Sequence, residues 1–116
     1  MIIDVTGILS FLYVDKCDVY RVVEIVEDGI TRHERTMVAE GLVCQLDTNE
    51  TVPTGEDAYQ LNAQYTVYFK PDVNIQKGDE LNITSESGDV YLLYAGMPKT
   101  YVGSHKEVLA SDKQYV

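Results

Sequence analysis

The 116-residue sequence carries nineteen Asp and Glu against nine Lys and Arg, a formal net charge of -10, with 45% hydrophobic and 24% charged residues. That length suits one domain with a single core, the apolar content excludes a disordered chain, and the negative field repels a phosphate backbone, which argues against ordinary nucleic-acid binding. Nine tyrosines beside two phenylalanines and no tryptophan suit half-buried sheet faces, where a ring packs while its hydroxyl finds a partner.

Met1 to Val14 is apolar but contains Asp4, lacks a basic start and is shorter than a membrane span, so it reads as an arm or an edge strand of a chain made in the cytoplasm. Cys17 and Cys44 stand far apart with no CxxC motif and no histidine cluster, which makes them small apolar core residues before disulfide partners or zinc ligands. Asp18 to Glu27 and Ile30 to Val38 alternate as strands, with Val19, Val23 and Ile25 on one face, and Asp28-Gly29 is a strong hairpin signal. A two-residue turn sets Glu24 against His33; a three-residue loop with a bulge sets Glu24 against Arg32. Cross-strand pair energies leave both open.

Gly41 reads as a break before a further strand, Leu42 to Leu46, in which Leu42, Cys44 and Leu46 share a face. Asp47 to Ala58 holds Asp47, Glu50, Glu56 and Asp57 with Pro53 and Gly55 and no Lys or Arg, the composition of a long solvated loop, and loops of that length are more often functional than connecting. Tyr65 to Phe69 alternates as a strand. Asp72 to Gly78 is a turn-rich link from which Val73 and Ile75 dip toward the core, and Asp79 accepts hydrogen bonds from nearby backbone N–H groups to fix the turn. Glu80 to Thr84 and Asp89 to Ala95 are further strands, the latter apolar on both faces and so expected in the middle of the sheet. After Met97-Pro98, Tyr101 to Ala110 is a last strand or a short helical tail. The fold class is therefore all-β, a small single-domain barrel or sandwich over residues 1–116 with a long acidic loop and at most one short helix.

Phosphate-cradle, zincin, nucleophile-elbow and kinase signatures are absent, and His33 and His105 have no companions at metal-ligand spacing. A Cys44 and His105 nucleophile pair would need an orienting group and an oxyanion hole that nothing in the sequence suggests. No enzymatic activity, cofactor or metal is expected. His33 reads as an exposed hairpin side chain, and His105 as a hydrogen-bonded residue fixing the chain after the last turn.

Asp18-Val19-Tyr20-Arg21 before the hairpin, Gly41 to Leu46 after it, Asp72 to Asp79 in the middle, and Gly88 to Tyr91, Gly96-Met97-Pro98 and Tyr101 through His105 appear in an order that resembles the head-closure and minor capsid proteins of tailed bacteriophages, a family with similar proteins in defective prophages of Gram-positive bacteria. The resemblance runs from Asp18 to Val108. It implies a β-barrel in the virion neck that docks as a ring of about twelve copies beneath the portal. Such a ring extends the DNA channel, helps retain the genome without sequence-specific binding, and presents the surface for tail attachment. Its expected partners are a portal or adaptor above, a tail-completion protein below and copies of itself, with no membrane. Within that implication Asp47, Glu50, Glu56 and Asp57 are candidates to face the channel, Tyr20, Arg21 and Arg35 are candidate subunit contacts, and Lys99, Tyr101 and His105 a candidate docking surface. Two other classes compete: an acidic DNA mimic that occupies a basic groove, which needs carboxylates in phosphate-like rows, and a small-molecule-binding barrel, which needs a pocket of convergent polar groups.

Overall fold

A computed structural model describes residues 13–51 and 62–112. The described chain is all-β: β1 (Asp15–Glu27), β2 (Ile30–Thr51), β3 (Asn62–Phe69), β4 (Glu80–Thr84), β5 (Val90–Ala95), β6 (Lys99–Tyr101) and β7 (His105–Ser111). All pairings are antiparallel. The strands run in the order β3-β2-β1-β4-β5-β7-β6, and a further β3–β7 pairing closes six of them into a barrel, leaving β6 as a flap on β7. Closure covers most of the edges that an open sheet would expose, with a narrow seam where β5 meets β7 through Tyr94 opposite Ser111 and Ala95 opposite Ala110. The last segment is a strand hairpin, so the helical alternative for Tyr101 to Ala110 is set aside, and the described residues contain no helix.

The core follows from alternation. Cys17 and Val19 of β1, Cys44 of β2, Val67 and Phe69 of β3, Leu81 and Ile83 of β4, Leu93 and Ala95 of β5 and Val108 and Ala110 of β7 point inward and are buried. Burial of each large side chain contributes about 1.5–3 kcal/mol. Both cysteines are free thiols in this core, as the apolar reading required. Ile75 plugs one end from the β3–β4 link, Val73 packs beside it half-buried, and the Lys106 ammonium donates to the Val73 carbonyl to hold that link down.

Asp79 is buried and takes the turn-fixing role. Its Oδ2 accepts the Gln76 N–H at 2.8 Å, and its carboxylate meets the Arg21 guanidinium at two points. Its backbone carbonyl also receives the Ala95 N–H at 2.8 Å. Asp15, likewise buried, accepts N–H groups from Leu46 and Glu86 and so ties β1 to β2 and to the β4–β5 turn.

Three expectations change. Gly41 is not a break: β2 runs unbroken through it, with Gly41 in the left-handed region at φ +64° and Glu40-Gly41 bulged opposite Asp18, whose Oδ1 accepts the Gly41 N–H. A bulge bends a strand without ending it. Asp47 to Thr51 is strand and not loop, because it pairs residue by residue with Asn62 to Thr66 of β3. The remainder of the acidic segment, with Glu56 and Asp57, lies outside the described residues, as do Met1 to Leu12 of the N-terminal segment. Finally, β5 is buried on one face only: Leu93 and Ala95 point inward while Val90 and Leu92 are 69% and 48% exposed.

Candidate functional site

The β1–β2 pair is longer than the barrel. β4 covers the outer edge of β1 only as far as Tyr20, which faces Glu80, so Arg21–Glu27 and their β2 partners Ile30–Thr36 leave the barrel as a two-stranded ribbon. At about 3.3 Å per residue it projects roughly 20 Å. The turn is the two-residue form, with Glu24 opposite His33 and Glu27 opposite Ile30; Asp28 and Gly29 both take left-handed φ values, 52° and 75°. That geometry matches the right-handed twist of the flanking strands.

All three candidate subunit contacts are engaged at the ribbon's root. The Arg21 Nε and Nη2 atoms reach Asp79 Oδ1 and Oδ2 at 2.9 and 2.8 Å, with the Arg21 side chain 20% exposed and that of Asp79 2%. Those hydrogen bonds to Asp79 push the Arg21 pKa upward. Arg35 bonds Glu80 and lies over the Tyr20 ring with its guanidinium carbon 3.7 Å from the centroid. Tyr20, Glu80 and Tyr94 thus form one row across the outer wall of β1, β4 and β5, and Arg35 of β2, opposite Val22, reaches diagonally onto it. Every arginine of the chain is on this hairpin, and only Arg32, near the tip, lacks a firm anchor: its contact to Glu27 is 3.6 Å with both side chains more than half exposed. Val22, Val26 and Ile30 are 60%, 64% and 69% exposed on the same ribbon.

Across the barrel, the three docking candidates come together. Tyr101 and His105 face each other across β6 and β7 and stack with centroids 4.8 Å apart at 17°, and the Lys99 ammonium lies 5.1 Å from the Tyr101 centroid. Tyr68 meets the other side of His105 at 5.7 Å. His105 Nδ1 and the Ser104 hydroxyl are 2.7 Å apart, and Nε2 is 3.0 Å from Glu107 Oε1, so the ring is held from both nitrogens, as its position after the last turn led one to expect. Ser104, His105 and Glu107 therefore make a hydrogen-bonded chain at the start of β7.

Tyr68, Ser104, His105 and Glu107, with Tyr13, Gln45 and Asp47, line a concavity of about 360 Å³. Gln45, Tyr68, Glu107 and Lys99 are one cross-strand row over β2, β3, β7 and β6. Burial pushes the Tyr68 hydroxyl pKa up, and the Glu107 and Asp47 carboxylates push it further; Tyr13 is raised chiefly by burial. Asp47, exposed on β2, belongs to this wall and not to the acidic loop. Glu50 occupies a strand position opposite Ala63. Tyr68, Gln45 and Glu107 escaped the sequence reading. Glu107 was accessible from the two-residue period that puts it on the face of His105, whereas Gln45 and Tyr68 arrive only through pairing between distant strands.

Cys44 and His105 do not form a nucleophile pair. Cys44 is fully buried inside the barrel with its thiol pushed up to about 12 by burial, while His105 lies on the outer wall. Among the described residues no group of three or more His, Cys, Asp or Glu could hold a metal ion. His33 is exposed on the ribbon.

No protein-family model and no curated protein sequence matches the chain. Its fold is similar to that of the phage-like element PBSX protein xkdH from Bacillus subtilis, with a TM-score of 0.51 and 19% identity over 82% of this chain and 90% of that one.

Proposed function

We propose that this chain is a structural protein of a bacteriophage or phage-like particle, working in the neck between head and tail. The observation that carries this reading is the fold shared with a protein of a phage-like element over most of both chains. In this role copies of the chain form a ring under the portal, lengthen the DNA conduit, help retain the genome and offer the tail its attachment surface. It is a non-enzymatic role, exercised by edges and surfaces.

Two physical features support it. Barrel closure pairs most wall strands on both sides, yet among the described residues the ribbon offers two free strand edges and exposed apolar residues at one place, which suits assembly with a defined neighbour. The net charge of -10 keeps DNA from adhering to a conduit wall and makes free subunits repel one another until a docking partner supplies contacts. Glu50, Glu56 and Asp57 are the residues assigned to the lumen; Asp47 is withdrawn from that group because of its place in the tyrosine-walled concavity.

Incubation with an intact portal ring, followed by electron microscopy, tests the proposal. A stacked ring of extra density beneath the portal is the expected result. Failure to bind either portal or tail-completion protein would overturn the reading. Within a bound ring, exchanging Glu50 and Glu56 for Gln and Asp57 for Asn is expected to preserve assembly while impairing DNA retention.

A further inference from the structure

We propose that neighbouring copies of this chain join head to tail, the tip of the β1–β2 ribbon of one copy seating against the β3–β7 wall of the next, with Arg32 entering the concavity between Tyr68, Asp47 and Glu107. This deepens the ring reading and rests on it.

The ribbon needs a partner. A two-stranded hairpin is marginal in water, and beyond Tyr20 this one has no third strand and no covering element among the described residues. Both of its faces carry β-branched side chains, with Val22 and Val26 on one and Val23, Ile25 and Ile30 on the other. Single exposed apolar residues are ordinary, but Val22, Val26 and Ile30 are all at least 60% exposed on one projecting element, which is the form of a contact arm.

Charge selects the occupant. Arg21 and Arg35 are engaged with Asp79 and Glu80, so Arg32, whose 3.6 Å contact with Glu27 is long and solvent-exposed, is the guanidinium most open to another molecule. The opposite wall supplies what a guanidinium takes: tyrosine rings for stacking and carboxylates for charge-assisted hydrogen bonds. Beside it, Leu109 and Val102 are 63% and 73% exposed and offer apolar cover for Ile30, which shares the ribbon face of Arg32. Around the barrel β7 lies three strands from β1 in either direction, so arm and socket stand on opposite walls. Two different patches on opposite walls make a heterologous contact, which closes as a ring when the rotation permits.

The test uses full-length variants. Arg32→Cys in one preparation and Asp47→Cys in another are mixed on an intact portal ring and oxidised; the native thiols are buried and stay silent. The 32–47 disulfide is expected to form at least tenfold faster than that between Arg32→Cys and Asn82→Cys, whose second site is on the β4 wall. In parallel, Arg32→Glu should weaken self-association by roughly tenfold or more, and adding Asp47→Arg and Glu107→Arg should restore it. If copies associate but the two disulfides form equally and Arg32→Glu has no effect, the arm–socket contact is wrong and the ring reading stands. If Arg32→Glu abolishes binding to portal while self-association is unchanged, the arm serves another protein and the contact is again wrong. Absence of self-association both free and on a portal ring would overturn contact and ring alike.

Discussion

Arg21 and Asp79, 58 positions apart, form a two-point ion pair at 2.9 and 2.8 Å in which the carboxylate is almost fully buried and also accepts the Gln76 N–H. It joins the root of the ribbon to the turn that opens β4. Removing one member of such a pair leaves the other charge desolvated, so Asp79→Ala should cost about 3 kcal/mol in urea unfolding. Asp79→Asn keeps an acceptor for the turn and should cost less. Equal stability of Asp79→Ala and the native chain would show that the pair contributes nothing.

The ribbon's turn leads to a second prediction. Gly29 stands at φ +75°, where a Cβ is unfavourable, and nothing lies within 4 Å of the site, so Gly29→Ala should act through the backbone alone at a cost of about 1–2 kcal/mol. Because the ribbon is outside the barrel, the effect should appear as faster hydrogen exchange of ribbon amides between residues 22 and 35, with the protection of β4 and β5 amides unchanged.

The same elements show which parts of the fold can be read from sequence. Asp28-Gly29, the core placement of Cys17 and Cys44 and the turn role of Asp79 were legible because each is fixed by local chemistry. The acidic loop was drawn too long because Asp47, Thr48 and Asn49 read as loop residues, while their strand character is imposed by β3, which arrives from more than a dozen residues away. Gly41 read as a stop for a similar reason: a left-handed glycine signals a bulge or an end, and only the pairing of Cys17 with Leu42 and of Val19 with Ala39, on either side of it, distinguishes them. In β5 the apolar run said nothing about direction, and the outward Val90 and Leu92 look like core until the inward set is known. Of the candidate surfaces, the Tyr101 and His105 pairing was within reach of a hairpin reading, whereas the wall that adds Gln45 and Tyr68 depends on barrel closure.

Closure itself depends on a close approach at Gly96. A Cβ built there would meet the Leu109 carbonyl oxygen at 2.9 Å, and the Gly96 N–H donates to that same oxygen at 2.7 Å. The obstacle is backbone, which has little freedom to retreat, so Gly96→Ala must push β5 and β7 apart where the two strands meet. We expect a cost of about 1–3 kcal/mol and loss of protection at the Gly96 amide, whose N–H spans the two strands. Met97→Ala, one residue further at a site 72% exposed, should be close to neutral and serves as the control.

The buried thiols give the chain an alkaline limit. Burial raises the folded-state pKa of Cys44 from an ordinary 9.0 to about 12, and that of Cys17 moves upward for the same principal reason. Below about pH 9 both states hold these protons and the stabilisation is fully present. Above it the unfolded chain releases them while the folded chain keeps them, so stability falls as pH rises toward the folded values, by about 1.4 kcal/mol per pH unit for each thiol. Tyr13 and Tyr68, also raised, add to the fall only beyond about pH 10. Urea unfolding between roughly pH 9 and 10 should therefore show a slope that Cys44→Ala reduces by about half, even though the variant loses about 1 kcal/mol of packing at neutral pH. An unchanged slope would mean that Cys44 titrates alike in the folded and unfolded chain, and that its thiol is open to water.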